Sequence, residues 1–409
     1  MSQEEKYPYF QKRWIVPLWS LKPEPAYCTP VDAEEFALQN ERKPPKLRDQ
    51  PPPPKAPPRP KAPVKPVIVS LFEAAERFQD WVNSPPAPKP PPAPAAPAIK
   101  KPRVKPFDLQ DIPHAMRRIG WTKSAQVMDK WFEGTLNYAT TNEGATKGIN
   151  QDGDPFPPSM IDTTMFRMEW ILEFPRAQEA LNNLRDIDIY SEPAQRAIIR
   201  TFRHQGKPTP YFRDGWKICD GDVNCLHRNF QFQFLRVDAN FPDKLLMMAR
   251  GKALPTGIFM DDLYGSLGAF SFNAAVGEHR FRVLRGDRVC VEIQDVLLYM
   301  RDVFTFHDRD DAYIGGLIGG GSQYLGHWNK TGFILVSGAA LASTATKWNW
   351  PMFPVARNGA ISDDDIYYPV RNKDYRNWQL KHRQGGDLIL YSNIKRVKLS
   401  TPLVVEFDL

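Results

Sequence analysis

Proline is the residue that most constrains how this chain can fold. Of its 40 prolines, 21 lie between residues 43 and 106. Each proline fixes its own φ angle and lacks a backbone donor, so a stretch this rich in proline cannot belong to a compact core. We therefore predict a disordered arm at 43–106, preceded by a short segment at 1–42. The folded domain, at 107–409, is long enough to bury a sizeable core.

The arm also carries the excess positive charge. Residues 43–106 hold 13 lysines and arginines against 4 acidic residues, a net charge of +9 that exceeds the +7 of the whole chain. A basic arm could attract nucleic acid or anionic lipid, but prolines separate its charges and no aromatic side chains alternate with them. We therefore expect a solvated, self-repelling spacer and no nucleic-acid partner.

One short stretch inside the arm, at 70–83, has helical periodicity. Ser70 is suited to cap the helix, and Glu73 three residues later completes a capping-box pattern. The spacing places one apolar stripe along the helix. A helix between proline-rich spacers can present a docking peptide to a partner's groove, and the alternative is that it packs back onto its own domain. The predicted partner-binding residues are Leu71, Phe72, Phe78 and Trp81.

The segment at 1–42 is rich in aromatic residues, among them Tyr7, Tyr9 and Trp14. A segment this short cannot bury them alone, so we expect it to dock on the main domain or, alternatively, on a partner. Residues 1–6 are acidic and no apolar run follows, so no signal peptide is predicted. No segment reaches the ~18 apolar residues of a membrane span. We expect a protein that is cytoplasmic in the producing cell unless specialised machinery exports it.

The spacing of apolar residues changes along the folded domain, from a helical period to an alternating one. Helices are predicted at 111–119, 122–133, 165–184 with a break at Pro175, 191–205 and 374–382. From residue 230 the period is two, and strands are predicted at 230–235, 267–276, 279–284, 288–294, 296–306, 331–336, 387–391, 395–399 and 403–409. This order predicts an α+β fold, helical over 107–206 and β-rich over 230–409, with a mainly antiparallel sheet or sandwich.

Three residues near the middle of the chain could bind a metal. Cys219, Cys225 and His227, with Asp220 and Asp222 between them, form the densest group of potential ligands, but zinc sites favour ligand pairs at closer spacing and no second pair follows. Alternatively, the spacing allows Cys219 and Cys225 to form a disulfide that closes a turn, if the protein reaches an oxidising compartment. Two reduced cysteines in a loop are the commonest case for such a pattern.

Four polar residues follow directly on an apolar strand that ends at Phe306. Strand ends often hold catalytic carboxylates, so His307, Asp308, Asp310 and Asp311 are candidate catalytic residues. A solvated loop is the alternative, because loops need polar residues in any case. The chain has neither a nucleophile elbow nor a His-Glu-x-x-His motif, and the glycines at 319–321 do not follow a dinucleotide fingerprint. We predict no cofactor.

Three stretches, together with the predicted helix segment at 128–132, resemble the DUF6402 family. They are the run Ile-Pro-His-Ala-Met-Arg-Arg-Ile-Gly-Trp at 112–121, the run Tyr-Leu-Gly-His-Trp-Asn at 324–329, and the region at 368–388 from Tyr-Pro-Val-Arg-Asn to Gly-Gly-Asp-Leu. The resemblance covers about 107–409. The family is a proteobacterial group, often encoded beside components of type VI secretion, and it supplies no catalytic residues to carry over.

The resemblance implies a cellular context more than a chemistry. The first hypothesis is a secreted type VI effector, or effector module, that acts in a target bacterium. The second is a non-enzymatic adaptor or chaperone that loads a partner effector onto the secretion spike. The third is a hydrolase with a site in the loop that contains Asp308. In the first two, the expected partner is a protein: a spike component, an effector or an immunity protein.

Overall fold

The computed structural model describes residues 6–7, 9–12, 19–21, 27–48, 104–203, 209–237, 261–286, 288–308, 322–336 and 353–408. The described residues up to 48 and from 104 onward belong to one compact unit. Most of the predicted arm, including its helix at 70–83, lies outside the described residues, so its disorder stays a prediction.

Helices dominate the first part of the folded domain, as predicted. The α-helices of the described residues are α1 (Ile112–Arg118), α2 (Thr122–Phe132), α3 (Asn142–Lys147), α4 (Met168–Ile171), α5 (Pro175–Asp186), α6 (Glu192–Arg203), α7 (Gly215–Ile218), α8 (Val223–Phe230), α9 (Asp262–Leu267) and α10 (Asn372–His382). Pro175 begins α5, where its missing N–H forfeits no hydrogen bond, so the predicted break is confirmed. The predicted helical start at 165–166 is wrong, because these residues end a strand.

The strands of the described residues are β1 (Tyr9–Lys12), β2 (Trp19–Leu21), β3 (Cys28–Pro30), β4 (Ile161–Phe166), β5 (Tyr211–Asp214), β6 (Gln231–Arg236), β7 (Ser271–Val276), β8 (Glu278–Val283), β9 (Arg288–Phe304), β10 (Tyr324–Asn329), β11 (Gly332–Val336), β12 (Val355–Arg357), β13 (Ile366–Arg371), β14 (Leu388–Ser392) and β15 (Lys395–Asp408). They form two sheets whose pairs are antiparallel apart from β4 with β14. The predicted α+β class with mainly antiparallel sheets is confirmed.

Strand β9 is the centre of the first sheet. One of its edges pairs with β8 and β7 in succession, and the other pairs with β15 and β14. The sequence predicted two strands on either side of Asp295, yet the chain continues as one. Asp295 is held within the sheet, since its carboxylate accepts the N–H of Glu278 at 3.0 Å and its backbone carbonyl accepts the N–H of Gly277 at 3.1 Å.

One exposed arginine and two buried carboxylates tie three strands of this sheet together. Arg396 on β15 donates to Asp214 on β5 at 2.9 Å and to Asp295 on β9 at 3.0 Å. Both carboxylates are at most 8% exposed. The guanidinium therefore offsets two charges that would otherwise be desolvated without a partner.

The second sheet has the order β2-β1-β11-β10-β13-β12-β3 and includes strands from the N-terminal segment. Buried Tyr9 pairs with Val336, and Cys28 pairs with Arg357. For these residues the predicted docking on the main domain is confirmed. The contact continues past residue 42, because Arg48 donates to Glu133 at 2.8 Å.

Strand β10 was predicted only as the end of a loop. Its register shifts between Tyr324 and His327, and Gly326 lies between them with a φ of +101°. A Cβ at Gly326 would lie 1.7 Å from the Phe333 ring. Glycine is therefore required here for both its backbone angle and its lack of a side chain.

Helices connect the two sheets around one region of the core. Helix α1 contacts β10 and β11 of the second sheet, while α9 contacts both α2 and β9 of the first sheet. A cavity lies where these elements meet. Among the described residues, no helix combines the length and apolar character that crossing a bilayer would require.

Candidate functional site

The cavity has a volume of about 340 Å³, which lies within the range of small-molecule pockets. Its wall comes from α1, α2, α3, α9 and α10, from β10 and β11, and from the end of β9 with the residues that follow it. Most of the wall is apolar. The polar side chains of the lining, apart from its tryptophans and tyrosines, are Asn142, Asp302, Thr305, His307, Gln323 and Asn372.

Asp302 is the only Asp or Glu among the described lining residues, which include no Lys or Arg. It lies two residues before the end of β9, and its backbone pairs with Leu390 of β14. Burial raises the pKa of its carboxyl from the ordinary 3.8 to about 7, although the Val303 N–H and the nearby cations Arg301 and Arg236 oppose the shift. A carboxyl group with such a pKa can both accept and release a proton at neutral pH.

Thr305 connects the cavity wall to a second buried carboxyl. Its hydroxyl donates to Asp387 Oδ2 at 2.6 Å and accepts the backbone N–H of His307 at 3.1 Å. Asp387 is fully buried and also accepts the N–H of Ala139 at 3.3 Å. Burial raises the pKa of Asp387, although Arg376, 3.8 Å away, favours the ionised form. These bonds fix the backbone that carries the cavity's polar groups.

The candidate residues of the loop after Phe306 occupy different places. His307 lines the cavity, and its carbonyl accepts the side-chain amide of Asn372 at 3.3 Å. Asp308 Oδ1 instead accepts the backbone N–H of Gln323 at 2.8 Å, which connects the two sides of the loop. Asp310 and Asp311 lie outside the described residues, so their role stays a prediction.

Of the candidate metal ligands, Cys219 and Cys225 lie side by side, while His227 points away from them. Burial and the adjacent Cys225 thiol raise the pKa of Cys219 to about 12, and both thiols are free. His227 points to the core, where its Nδ1 lies 2.9 Å from the hydroxyl of Tyr299 and burial lowers its pKa to about 3. In the part of the chain that the structure describes, no three His, Cys, Asp or Glu residues are placed to share a metal ion.

The predicted partner-binding residues cannot be placed. Leu71, Phe72, Phe78 and Trp81 all lie outside the described ranges. Their role in binding a protein stays a prediction.

Sequence reasoning missed Asp302 because it lies inside an apolar run. The run at 296–306 predicts an apolar strand, and the sequence assigns no role to its single acidic residue. A lone carboxyl between Met300 and Phe304 is itself a signal, because an acid in a buried strand needs either a partner or a function. Only the structure shows that the cavity opens beside it.

Comparison with known proteins gives one match. The model of a family of unknown function, DUF6402, matches residues 107–407. No curated protein and no solved structure matches the chain. The matched range contains every described residue of the cavity lining and agrees with the range of the resemblance seen in the sequence. This chain therefore belongs to the DUF6402 family.

Proposed function

We propose that this chain is a type VI secretion-associated effector whose folded domain hydrolyses a small molecule in the cavity. Asp302 carries the proposal, because it combines a place in the cavity wall with a pKa near 7. Among the described residues, no cation forms an ion pair with its carboxylate, and the Val303 N–H with the more distant Arg301 and Arg236 only partly opposes the rise in its pKa. A structural acid would normally have stronger partners, as Asp295 has in Arg396.

Hydrolysis is the reaction class that such a group serves with the fewest additional parts. The ionised form of Asp302 removes a proton from a water molecule as that water attacks the bound substrate. The resulting carboxylic acid then returns the proton to the leaving group. We assign the orientation of the substrate to Thr305 and His307, which share the lining.

The secretion part of the proposal depends on other features. The resemblance to a family encoded beside type VI components supports it, and so does the basic, proline-rich arm at 43–106. A protein made in the cytoplasm and exported by that machinery would act in a neighbouring bacterium. An adaptor needs no cavity with a titratable acid, so the cavity favours the effector over the adaptor.

The test is growth of a bacterium that expresses the full chain, once in the cytoplasm and once with an added export signal. We expect the wild-type chain to inhibit growth in one compartment and Asp302→Asn to lose that effect while it keeps its circular dichroism spectrum. Asp154→Asn is the matched control, because it makes the same change at an exposed residue.

Two outcomes would contradict the proposal. If the wild-type chain is harmless in both compartments and co-purifies with the product of a neighbouring gene, the protein is an adaptor. If Asp302→Asn inhibits growth as strongly as the wild-type chain, the activity does not reside in the cavity.

A further inference from the structure

Two of the four cysteines lie side by side in the folded chain. Cys219 directly follows helix α7, and Cys225 is the third residue of helix α8. Their thiols interact, and the side-chain amide of Asn229 donates to the Cys225 sulfur at 3.3 Å. The remaining cysteines lie in different sheets, Cys28 on β3 and Cys290 on β9. Cys219 and Cys225 are therefore the pair that is placed to form a disulfide within the chain.

A tight turn between the two helices brings these cysteines together. The N–H of Asp222 donates to the carbonyl of Cys219 at 2.8 Å, which closes the turn. The two residues inside it, Asp220 and Gly221, have positive φ angles of +49° and +77°. Asp222 then caps α8, because its carboxylate accepts the N–H of Asn224 at 2.8 Å. A disulfide needs cysteines whose backbones lie close together, and this turn supplies that proximity without rearrangement of either sheet.

The two thiols differ in their access to solvent, and this difference sets the order of reaction. Cys225 is half-buried, whereas Cys219 is only 4% exposed. A small external disulfide, such as glutathione disulfide, therefore meets Cys225 first. The Cys225 thiolate attacks it, forms a mixed disulfide and releases one glutathione thiol. The Cys219 thiolate then attacks the Cys225 sulfur and releases the second glutathione.

The reaction balances with glutathione disulfide as the oxidant. The two cysteine thiols lose two electrons and two protons, and glutathione disulfide takes them up and becomes two glutathione thiols. Burial and the adjacent Cys225 thiol raise the pKa of Cys219, so its attack is the slow step. Disulfides persist in oxidising compartments and are rare in a cytoplasm, where thiols are kept reduced.

We propose that Cys219 and Cys225 form a disulfide, which links the end of α7 to α8, when the protein reaches an oxidising compartment. The inference rests on the proposed function only for the compartment, because export would bring the chain there. Formation of the disulfide is measured on the purified protein without any assay of growth or hydrolysis, so the two proposals can fail separately.

The test is overnight equilibration of the purified full-length protein in a buffer of oxidised and reduced glutathione, followed by alkylation of the remaining thiols in urea and digestion with trypsin. Trypsin cuts after Lys217 and Arg228, so both cysteines fall in one peptide, 218–228. We expect this peptide to carry no alkyl group and to be lighter by two hydrogen atoms than its reduced form. The peptide at 289–301, which contains Cys290, should be alkylated.

Cys225→Ser should leave Cys219 without a partner, so its peptide should take up one alkyl group after the same treatment. Cys290→Ala is the matched control, because it removes a buried thiol outside the pair. Its peptide at 218–228 should be oxidised as in the wild-type protein. Circular dichroism checks that both variants are folded.

The disulfide should also stabilise the domain. It closes a loop of seven residues, 219–225, so oxidation should raise the Tm of the wild-type protein and of Cys290→Ala by about 2–4 °C. The Tm of Cys225→Ser should not change on oxidation.

Three results would overturn the proposal. The first is two alkyl groups on the wild-type peptide after equilibration. The second is glutathione on Cys225 with Cys219 still alkylated, because the buried thiol would then be unable to reach its neighbour. The third is a Tm of the wild-type protein that oxidation leaves unchanged, because the disulfide would then not hold the two helices together.

Discussion

Replacing Asp302 with Asn should make the folded protein more stable at pH 8 and leave its stability nearly unchanged at pH 4. The carboxyl has an ordinary pKa of 3.8 in the unfolded chain and a pKa of about 7 in the folded one. Between these values the unfolded state has already lost the proton that the folded state keeps. The free energy of unfolding therefore falls as the pH rises through this window.

The size of the effect follows from the two pKa values. A difference of one pH unit is worth ~1.36 kcal/mol, so the full shift would cost the folded state at most about 4 kcal/mol above pH 7. Asp302 is only half-buried, and water in the cavity screens part of this cost. We therefore expect a stabilisation of about 2 kcal/mol at pH 8, because the amide of Asn keeps the shape of the carboxyl and never ionises.

The measurement is urea unfolding of both proteins at pH 4, 6 and 8, followed by circular dichroism. Asp154→Asn, at an exposed carboxyl, should change stability by less than ~0.5 kcal/mol at every pH. A variant that is equally stable or less stable than the wild-type protein at pH 8, or a difference that does not vary with pH, would refute the reasoning. The expected result would mean that the chain keeps a destabilising acid at this position, as functional sites often do.

Three further predictions concern other parts of the fold. Because its pKa is raised to about 12, Cys219 should react with a disulfide reagent at pH 8 at least ~100-fold more slowly in the folded protein than in urea; equal rates would contradict the burial of the thiol. Gly326→Ala should destabilise the domain by ~3 kcal/mol in urea unfolding, because a Cβ there would overlap the Phe333 ring and the residue has a positive φ. Gly153→Ala, which has a positive φ but open space, should cost only ~1 kcal/mol, and equal costs would refute the steric argument. Arg396→Met should cost ~3 kcal/mol at pH 7, because it leaves two buried carboxylates without a cation, and a neutral result would show that water screens them.

Local patterns predicted most of the elements that have strong signals of their own. The break at Pro175 follows from the chemistry of one residue. The prediction of helix α10 followed from Asp374 near its start and the paired glycines after its end, although the helix begins two residues earlier, at Asn372. Such features depend on neighbours within a few positions, so no tertiary contact is needed to specify them.

Long-range pairing decided the features that the sequence left open. Strand β9 continues through Asp295 because Glu278, the first residue of β8, donates its N–H to the carboxylate and Gly277, just before β8, donates its N–H to the carbonyl. Strand β10, whose glycine and register shift resemble a loop, is a strand because β11 and β13 lie on both sides of it. A short, irregular segment carries too little periodicity to show this alone.

For the candidate site, too, local sequence patterns predicted some features and long-range contacts decided the others. The sequence alone determined the α+β order of the domain, the proline-rich composition of the arm and the polar residues after Phe306. The tertiary structure decided that Asp302 and Trp121, far apart in the chain, line one cavity, and that Asp308 does not. The physical reason is that the cavity, and the burial that raises the pKa of Asp302, depend on atoms brought together from α1, α9, β9 and β10. No local sequence pattern contains that information.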